Sequence, residues 1–109
     1  MKRGEIWTAA TGAGLGSKPR PVVILQSSHY LHFSTVIVAL LTSKLEERLH
    51  LRPVVAPDDV NGLDKISAVM VDVLVTAESA DFGKRVGRLS AADMVQVESA
   101  LLIVLGFAA

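Results

Sequence analysis

Arg20 stands between Pro19 and Pro21, at the threshold of the apolar run Val22-Val23-Ile24-Leu25. Flanking prolines restrict the backbone and reduce the freedom lost when the guanidinium is held in place. A planar guanidinium can grip phosphate or carboxylate through two parallel hydrogen bonds, and an ion pair at a strand end uses the same geometry. Thr42, next to Ser43 and Lys44 at the end of a second apolar run, is by itself an ordinary strand-end hydroxyl. His29 and His32 form H-x-x-H. On an α-helix this spacing would set two imidazoles on one face for a metal, and two imidazoles could also serve as an acid–base pair near neutrality. The segment does not read as a helix and brings no dependable third ligand, so solvated loop histidines are the expectation. His50, among charged residues, is expected to be exposed. No metal site and no cofactor is assigned.

The stretch Gly12-Ala13-Gly14-Leu15-Gly16-Ser17-Lys18 invites a phosphate-loop reading. Its spacing fails the Walker pattern, because three residues rather than four separate Gly12 from Gly16 and Ser precedes Lys. A dinucleotide loop would need a helix next, which Pro19 and Pro21 forbid. What remains is a glycine-rich loop able to lie over a surface. Cysteine is absent, which excludes disulfide frameworks, thiolate metal sites and cysteine nucleophiles.

These groups need elements to position them. The chain has 109 residues with 50% hydrophobic and 20% charged, the size and apolar content of one domain spanning 1–109. A first strand is expected at Gly4–Thr8, then the glycine loop Thr11–Lys18. A buried strand follows at Pro21–Gln26, with a polar connection at Ser27–Phe33 and a second long strand at Ser34–Thr42. Ser43–His50 reads as a loop or a single helical turn. Leu51–Ala56, interrupted by Pro53, belongs at a sheet edge, and Asp58–Asp64 carries turn residues. Ile66–Val75 and Lys84–Leu89 add strands. Ser90, with Asp93 three residues on, caps a C-terminal helix whose apolar stripe is Met94, Val97, Leu101, Val104 and Leu105, and Gly106 closes it. The fold class is mostly β (α+β): a small curved sheet or barrel of about six strands with a C-terminal helix on it.

Charge is balanced at 11 basic and 11 acidic residues, which argues against a partner held by global attraction to a polyanion. The distribution is uneven: residues 1–52 hold seven basic and three acidic groups, residues 53–109 four basic and eight acidic. A polyanion-facing surface built mainly from the first half is one reading of that asymmetry. The N-terminus has no secretory pattern, and the longest apolar runs, six residues each at Val36–Leu41 and Ala100–Leu105, are far short of the ~20 a membrane helix needs. A cytoplasmic, non-membrane protein is the expectation.

Taken in order, several segments resemble the MazF/PemK family of toxins from bacterial toxin–antitoxin modules. They are Met1-Lys2-Arg3-Gly4-Glu5-Ile6-Trp7, Lys18-Pro19-Arg20-Pro21-Val22-Val23-Ile24-Leu25-Gln26, Thr35-Val36-Ile37-Val38-Ala39-Leu40-Leu41-Thr42-Ser43, and Val86-Gly87-Arg88-Leu89-Ser90 leading into a helix that ends Leu105-Gly106-Phe107. The resemblance implies an SH3-like or CcdB-like fold, a homodimer, and metal-independent endoribonuclease activity on single-stranded RNA that leaves 2′,3′-cyclic phosphate and 5′-hydroxyl ends. It places the family's catalytic Arg on Arg20 and its strand-end hydroxyl on Thr42. It makes Ser17, Lys18, Ser43 and Lys44 RNA-binding candidates, and a cognate antitoxin the expected partner. The chain departs from many members in carrying Gly16-Ser17-Lys18 where they have Gly-Ser-Glu, and Val73 where they have Gln. Two other readings are a CcdB-like toxin that poisons gyrase without chemistry, and a catalytically weak paralogue acting as a binding module.

Overall fold

In the computed structural model the described residues are 1–10, 18–45 and 50–109. The glycine-loop expectation at 11–17, Ser17 included, and the possible helical turn at 46–49 lie outside them. Among the described residues six strands form one antiparallel sheet: β1 (Glu5–Ala9), β2 (Arg20–Ile24), β3 (Thr35–Thr42), β4 (Val54–Val55), β5 (Ser67–Glu78) and β6 (Phe82–Arg88), in the spatial order β4-β5-β3-β2-β1-β6. Helix α1 (Ala91–Val104) follows. The sheet curls into a half-barrel, helped by irregular pairing between β1 and β6 around Trp7 and between β3 and β5 after Ala39. Such bulges bend a strand and increase its twist.

β-branched runs explain the central strands, and alternation explains their two packed faces. On β2, Val23 joins Ile6, Leu41, Val69 and Val71 beneath the helix, while Val22 and Ile24 join Val36, Val38 and Ala77 on the other face. The sheet is therefore apolar on both sides where β2 and β3 run. The β3 strand ends at Thr42 as the sequence suggests and starts one residue later than expected, at Thr35, but β5 continues three residues past Val75. Thr76, Ala77 and Glu78 keep pairing with Ile37, Val36 and Thr35, so ladder hydrogen bonds extend the strand after hydropathy has dropped. In the other direction β2 ends at Ile24. The Gln26 side chain leaves the ladder and binds the turn instead, accepting from Ile37 N at 3.0 Å and donating to the Tyr30 carbonyl at 2.8 Å.

Ser90 caps α1 as its sequence suggests, its hydroxyl accepting from Asp93 N at 3.1 Å. The helix ends in a Schellman motif: Gly106 N donates to Ile103 O and Phe107 N to Leu102 O, with Gly106 at φ +86°. That left-handed conformation is why a glycine stands there. Val97 is fully buried in the core, with Met94, Leu101 and Val104 packed beside it. Burying one such side chain is worth about 1.5–3 kcal/mol. Leu105, expected in the stripe, is exposed, because it is the C-cap, one position past the last helical residue Val104. Arg3 orients the helix on β2, donating Nε to the Leu25 carbonyl at 2.9 Å and Nη1 to Glu98 at 2.7 Å.

The segment 56–64 is an organised turn. Asn61 is fully buried, its Oδ1 accepts from Asp58 N and Leu63 N, and its Nδ2 donates to the Ala56 carbonyl. Arg88 N donates to the Val60 carbonyl at 3.1 Å, which docks the turn along the outer side of β6. The approach is close enough that a Cβ on Gly87 would strike the Asn61 and Val60 carbonyls.

Candidate active-site groove

Strands β2 and β3 bring the two leading candidates together. Val22 lies opposite Leu40 in the register, and continuing that pairing sets Arg20 level with Thr42 at one end of the hairpin. Arg20 is the first residue of β2, exposed, and its backbone pairs with Ala9 of β1. Thr42 is the last residue of β3, half-buried and opposite Ala68 of β5. Its Oγ1 accepts from Lys44 N at 3.1 Å. With an oxygen lone pair so engaged, the hydroxyl proton is left to donate outward.

Both residues line an open groove of about 1050 Å³ that also takes in Lys18, Ser43 and Lys44. Of the six site residues that the family resemblance names, all but Ser17, which is outside the described residues, thus fall on one surface. The histidines do not. His29 and His32 are exposed at the opposite end of the β2–β3 hairpin, where Ser28–Tyr30 forms a 3-10 turn. Seven strand-like steps from Arg20 to Ser27 put them roughly 20 Å away, too far to exchange protons with a group held by Arg20 of the same chain. His50, also exposed, lies outside the groove lining.

The groove corrects one expectation from charge counting. Lys65, Lys84 and Arg85, three of the four cations in the acidic half of the chain, also line it. Among the described residues Asp64 is the lone carboxylate on that lining, against six cations. Long-range pairing causes this: β6 folds back beside β1, and the docked turn brings Asp64 and Lys65 to the rim. Of the basic residues in the first half, Arg52 is instead buried against Asp72 and Arg3 is spent on Glu98. Chain halves are thus a poor guide to faces. The only signal for Lys84 and Arg85 was their place on a final strand, which does not say which strand they join.

Arg85 donates Nε to Glu5 Oε2 at 3.0 Å. Glu5 Oε1 accepts from Lys2 N at 2.8 Å and from the Trp7 indole at 3.1 Å. Desolvation by itself would raise the Glu5 carboxyl, but the hydrogen bonds from Trp7, Arg85 and Lys2 and the Arg85 charge outweigh it and hold the carboxyl below its ordinary value.

A model of the PemK-like, MazF-like toxins of type II toxin–antitoxin systems matches residues 2–105, and the chain belongs to that family. A curated relative from Mycolicibacterium smegmatis, named probable endoribonuclease MazF, is 37% identical over 108 residues, covering 99% of each chain. Endoribonuclease MazF6 of Mycobacterium tuberculosis is 34% identical over 110 residues, covering 96% of each. Among solved structures, the M. tuberculosis toxin MazF-mt6 matches with a TM-score of 0.78 at 28% identity, covering 94% of this chain and 96% of that one. A MazE–MazF structure from Deinococcus radiodurans has the same fold at TM-score 0.78 and 16% identity, over 97% and 96% of the two chains. No helix among the described residues is long and apolar enough to cross a membrane.

Proposed function

We propose that the chain is a toxin that cleaves single-stranded RNA, with residues 1–109 acting as one catalytic domain. The observation that carries this reading is the convergence of Arg20 and Thr42 on the wall of a groove that has, among the described residues, six cations and one carboxylate, in a chain whose relatives are named endoribonucleases. In the reaction the ribose 2′-oxygen attacks the adjacent phosphorus and gives up its proton. The bond from phosphorus to the 5′-oxygen breaks, and that oxygen takes a proton, leaving 2′,3′-cyclic phosphate and 5′-hydroxyl ends. Because the nucleophile belongs to the substrate, no metal-bound water is needed. Arg20 neutralises the charge that builds on the phosphoryl oxygens. Thr42, its oxygen already accepting from Lys44 N, donates a hydrogen bond to a phosphoryl oxygen and keeps the group in line. Lys18, Ser43 and Lys44, with Ser17, hold the flanking phosphates, and contacts to the bases beside the scissile bond give the enzyme a sequence preference.

The working form is a homodimer, neutralised by a cognate antitoxin, and its site of action is the cytoplasm. Val95, Leu102, Ile103, Leu105 and Phe107 form an exposed apolar stretch on the helix and tail, and such a patch normally marks an interface. A single-chain mass in sedimentation at micromolar concentration overturns the dimer.

The test is incubation of purified protein with single-stranded RNA in EDTA, followed by mapping of product ends. Cleavage with cyclic phosphate termini is expected. Arg20→Ala is expected to lower kcat by about 10²–10³-fold, and Thr42→Val by about tenfold. Robust cleavage by Arg20→Ala overturns the site, and failure to cleave any RNA overturns the function. Toxicity independent of Arg20, with loss of gyrase supercoiling, would establish the gyrase-poisoning reading instead.

A further inference from the structure

We infer that β6 is a second phosphate-gripping wall of the groove, in which Lys84 and Arg85 hold the RNA backbone and the Glu5 carboxylate fixes Arg85 for that purpose. This rests on the endoribonuclease reading above and names residues it does not use. Sheet order supplies the first argument. Trp7 of β1 lies opposite Val22 on one side and opposite Arg85 on the other, so Arg85 and Arg20 stand on the two strands that flank β1. Two strand spacings separate their backbones by about 10 Å across the sheet, with a further two residues of offset along it. The two offsets combine to about 12 Å between the backbones, which suits phosphates about two nucleotides apart on an extended strand, as in grooves that track a single-stranded backbone.

The second argument is how β6 is anchored. Lys84 N donates to Thr8 Oγ1 at 3.0 Å, and a Cβ on Gly83 would collide with that same oxygen. The strand therefore lies tight against a groove-lining residue of β1. The third argument is the asymmetry of the Glu5–Arg85 pair. Both Glu5 oxygens are engaged and its side chain is only 14% exposed, whereas Arg85 remains 47% exposed. The carboxylate is a rooted base and the guanidinium a projecting arm. Among the described residues Nε is the only atom of that guanidinium engaged, which leaves its two Nη groups for a bidentate grip on phosphate. Lys84 is exposed, and its side chain meets no carboxylate among the described residues. A wall held this way loses little freedom when RNA binds.

The experiment measures binding of a fully 2′-O-methylated, hence uncleavable, single-stranded RNA by anisotropy from 50 to 300 mM salt, and cleavage of the unmodified RNA. Wild type, Lys84→Gln, Arg85→Ala, Glu5→Gln and Arg20→Ala are compared after each is shown to melt cooperatively. Arg85→Ala is expected to weaken binding about tenfold and Lys84→Gln about threefold. Each reduces the slope of log K against log salt by about 0.7. KM rises in proportion while kcat stays within about twofold, the reverse of the Arg20→Ala pattern. Glu5→Gln, which adds a net positive charge to the groove, is nevertheless expected to weaken binding. Tighter binding by Glu5→Gln overturns the positioning role. Wild-type affinity and slope in both β6 variants overturn the second wall while leaving the nuclease reading intact. Failure of wild type to bind or cleave any RNA overturns both. Lys84→Gln removes an exposed side chain that meets no carboxylate among the described residues, so the test survives if Arg85→Ala fails to fold.

Discussion

Two arginine–carboxylate pairs sit at opposite edges of the same sheet and do opposite work. At the β4–β5 edge, Arg52 and Asp72 bond through two contacts of 2.8 and 3.2 Å, with side chains 7% and 9% exposed. At the β1–β6 edge, Glu5 is sheltered while its partner Arg85 reaches into the groove. Guanidinium geometry is the same in both, so the difference lies in desolvation. A pair buried on both sides locks two segments together and makes each partner indispensable to the other. A pair buried on one side aims a charge that is still available to a ligand.

The largest effect expected from that contrast is on the buried pair. Asp72→Asn takes the carboxylate charge away from a buried guanidinium and should lower stability by about 3–5 kcal/mol in urea titration. Replacing both partners, Arg52→Met with Asp72→Leu, should recover most of the loss. A cost under about 1 kcal/mol for Asp72→Asn would erase the distinction between the two edges. An intermediate effect is expected at Asn61→Ala, which strips the backbone partners from the turn that carries Asp64 and Lys65. It should cost about 2 kcal/mol and weaken RNA binding as well, so a stability loss with unchanged affinity would detach the turn from the groove. The smallest effect belongs to the groove pair. Arg85→Ala should change stability by no more than about 1 kcal/mol, although it weakens RNA binding.

Acid sharpens the same point. Because the folded Glu5 carboxyl lies below its ordinary value of 4.5, its contribution to stability is complete above that pH. It is lost as pH falls through the lower folded value. Melting temperatures measured from pH 6 to pH 3 should therefore fall less steeply for Glu5→Gln than for wild type. An identical acid limb in the two proteins would show that the carboxylate is not held as described.

Much of the frame was legible because it is local. The valine-rich runs of β2 and β3, the Pro53 interruption at the edge strand β4, the Ser90 cap and the Gly106 close all follow from short-range chemistry. Arg20, Thr42, Lys18, Ser43 and Lys44 became candidates together only through the family resemblance, and the hairpin of consecutive strands sets them on one groove. What could not be read were contacts between distant residues. Arg52 counts as a surface cation until Asp72, twenty positions on, is found beside it. Lys84 and Arg85 gain meaning only when β6 is placed next to β1, about eighty positions away in the chain. Thr76–Glu78 looks too polar to continue a strand, and only its partners on β3 keep it there.

The turn docked along β6 has a consequence for solubility. β6 is the last strand of the sheet, and an open outer edge would offer its amides and carbonyls to any other extended chain. The contact from Arg88 N to the Val60 carbonyl, and the close passage over Gly87, set the turn across part of that edge as a guard. A side chain as small as alanine at Gly87 would push the guard away. The first symptom of that change would then be concentration-dependent aggregation of a still largely folded protein, visible by light scattering before any loss of helix or sheet.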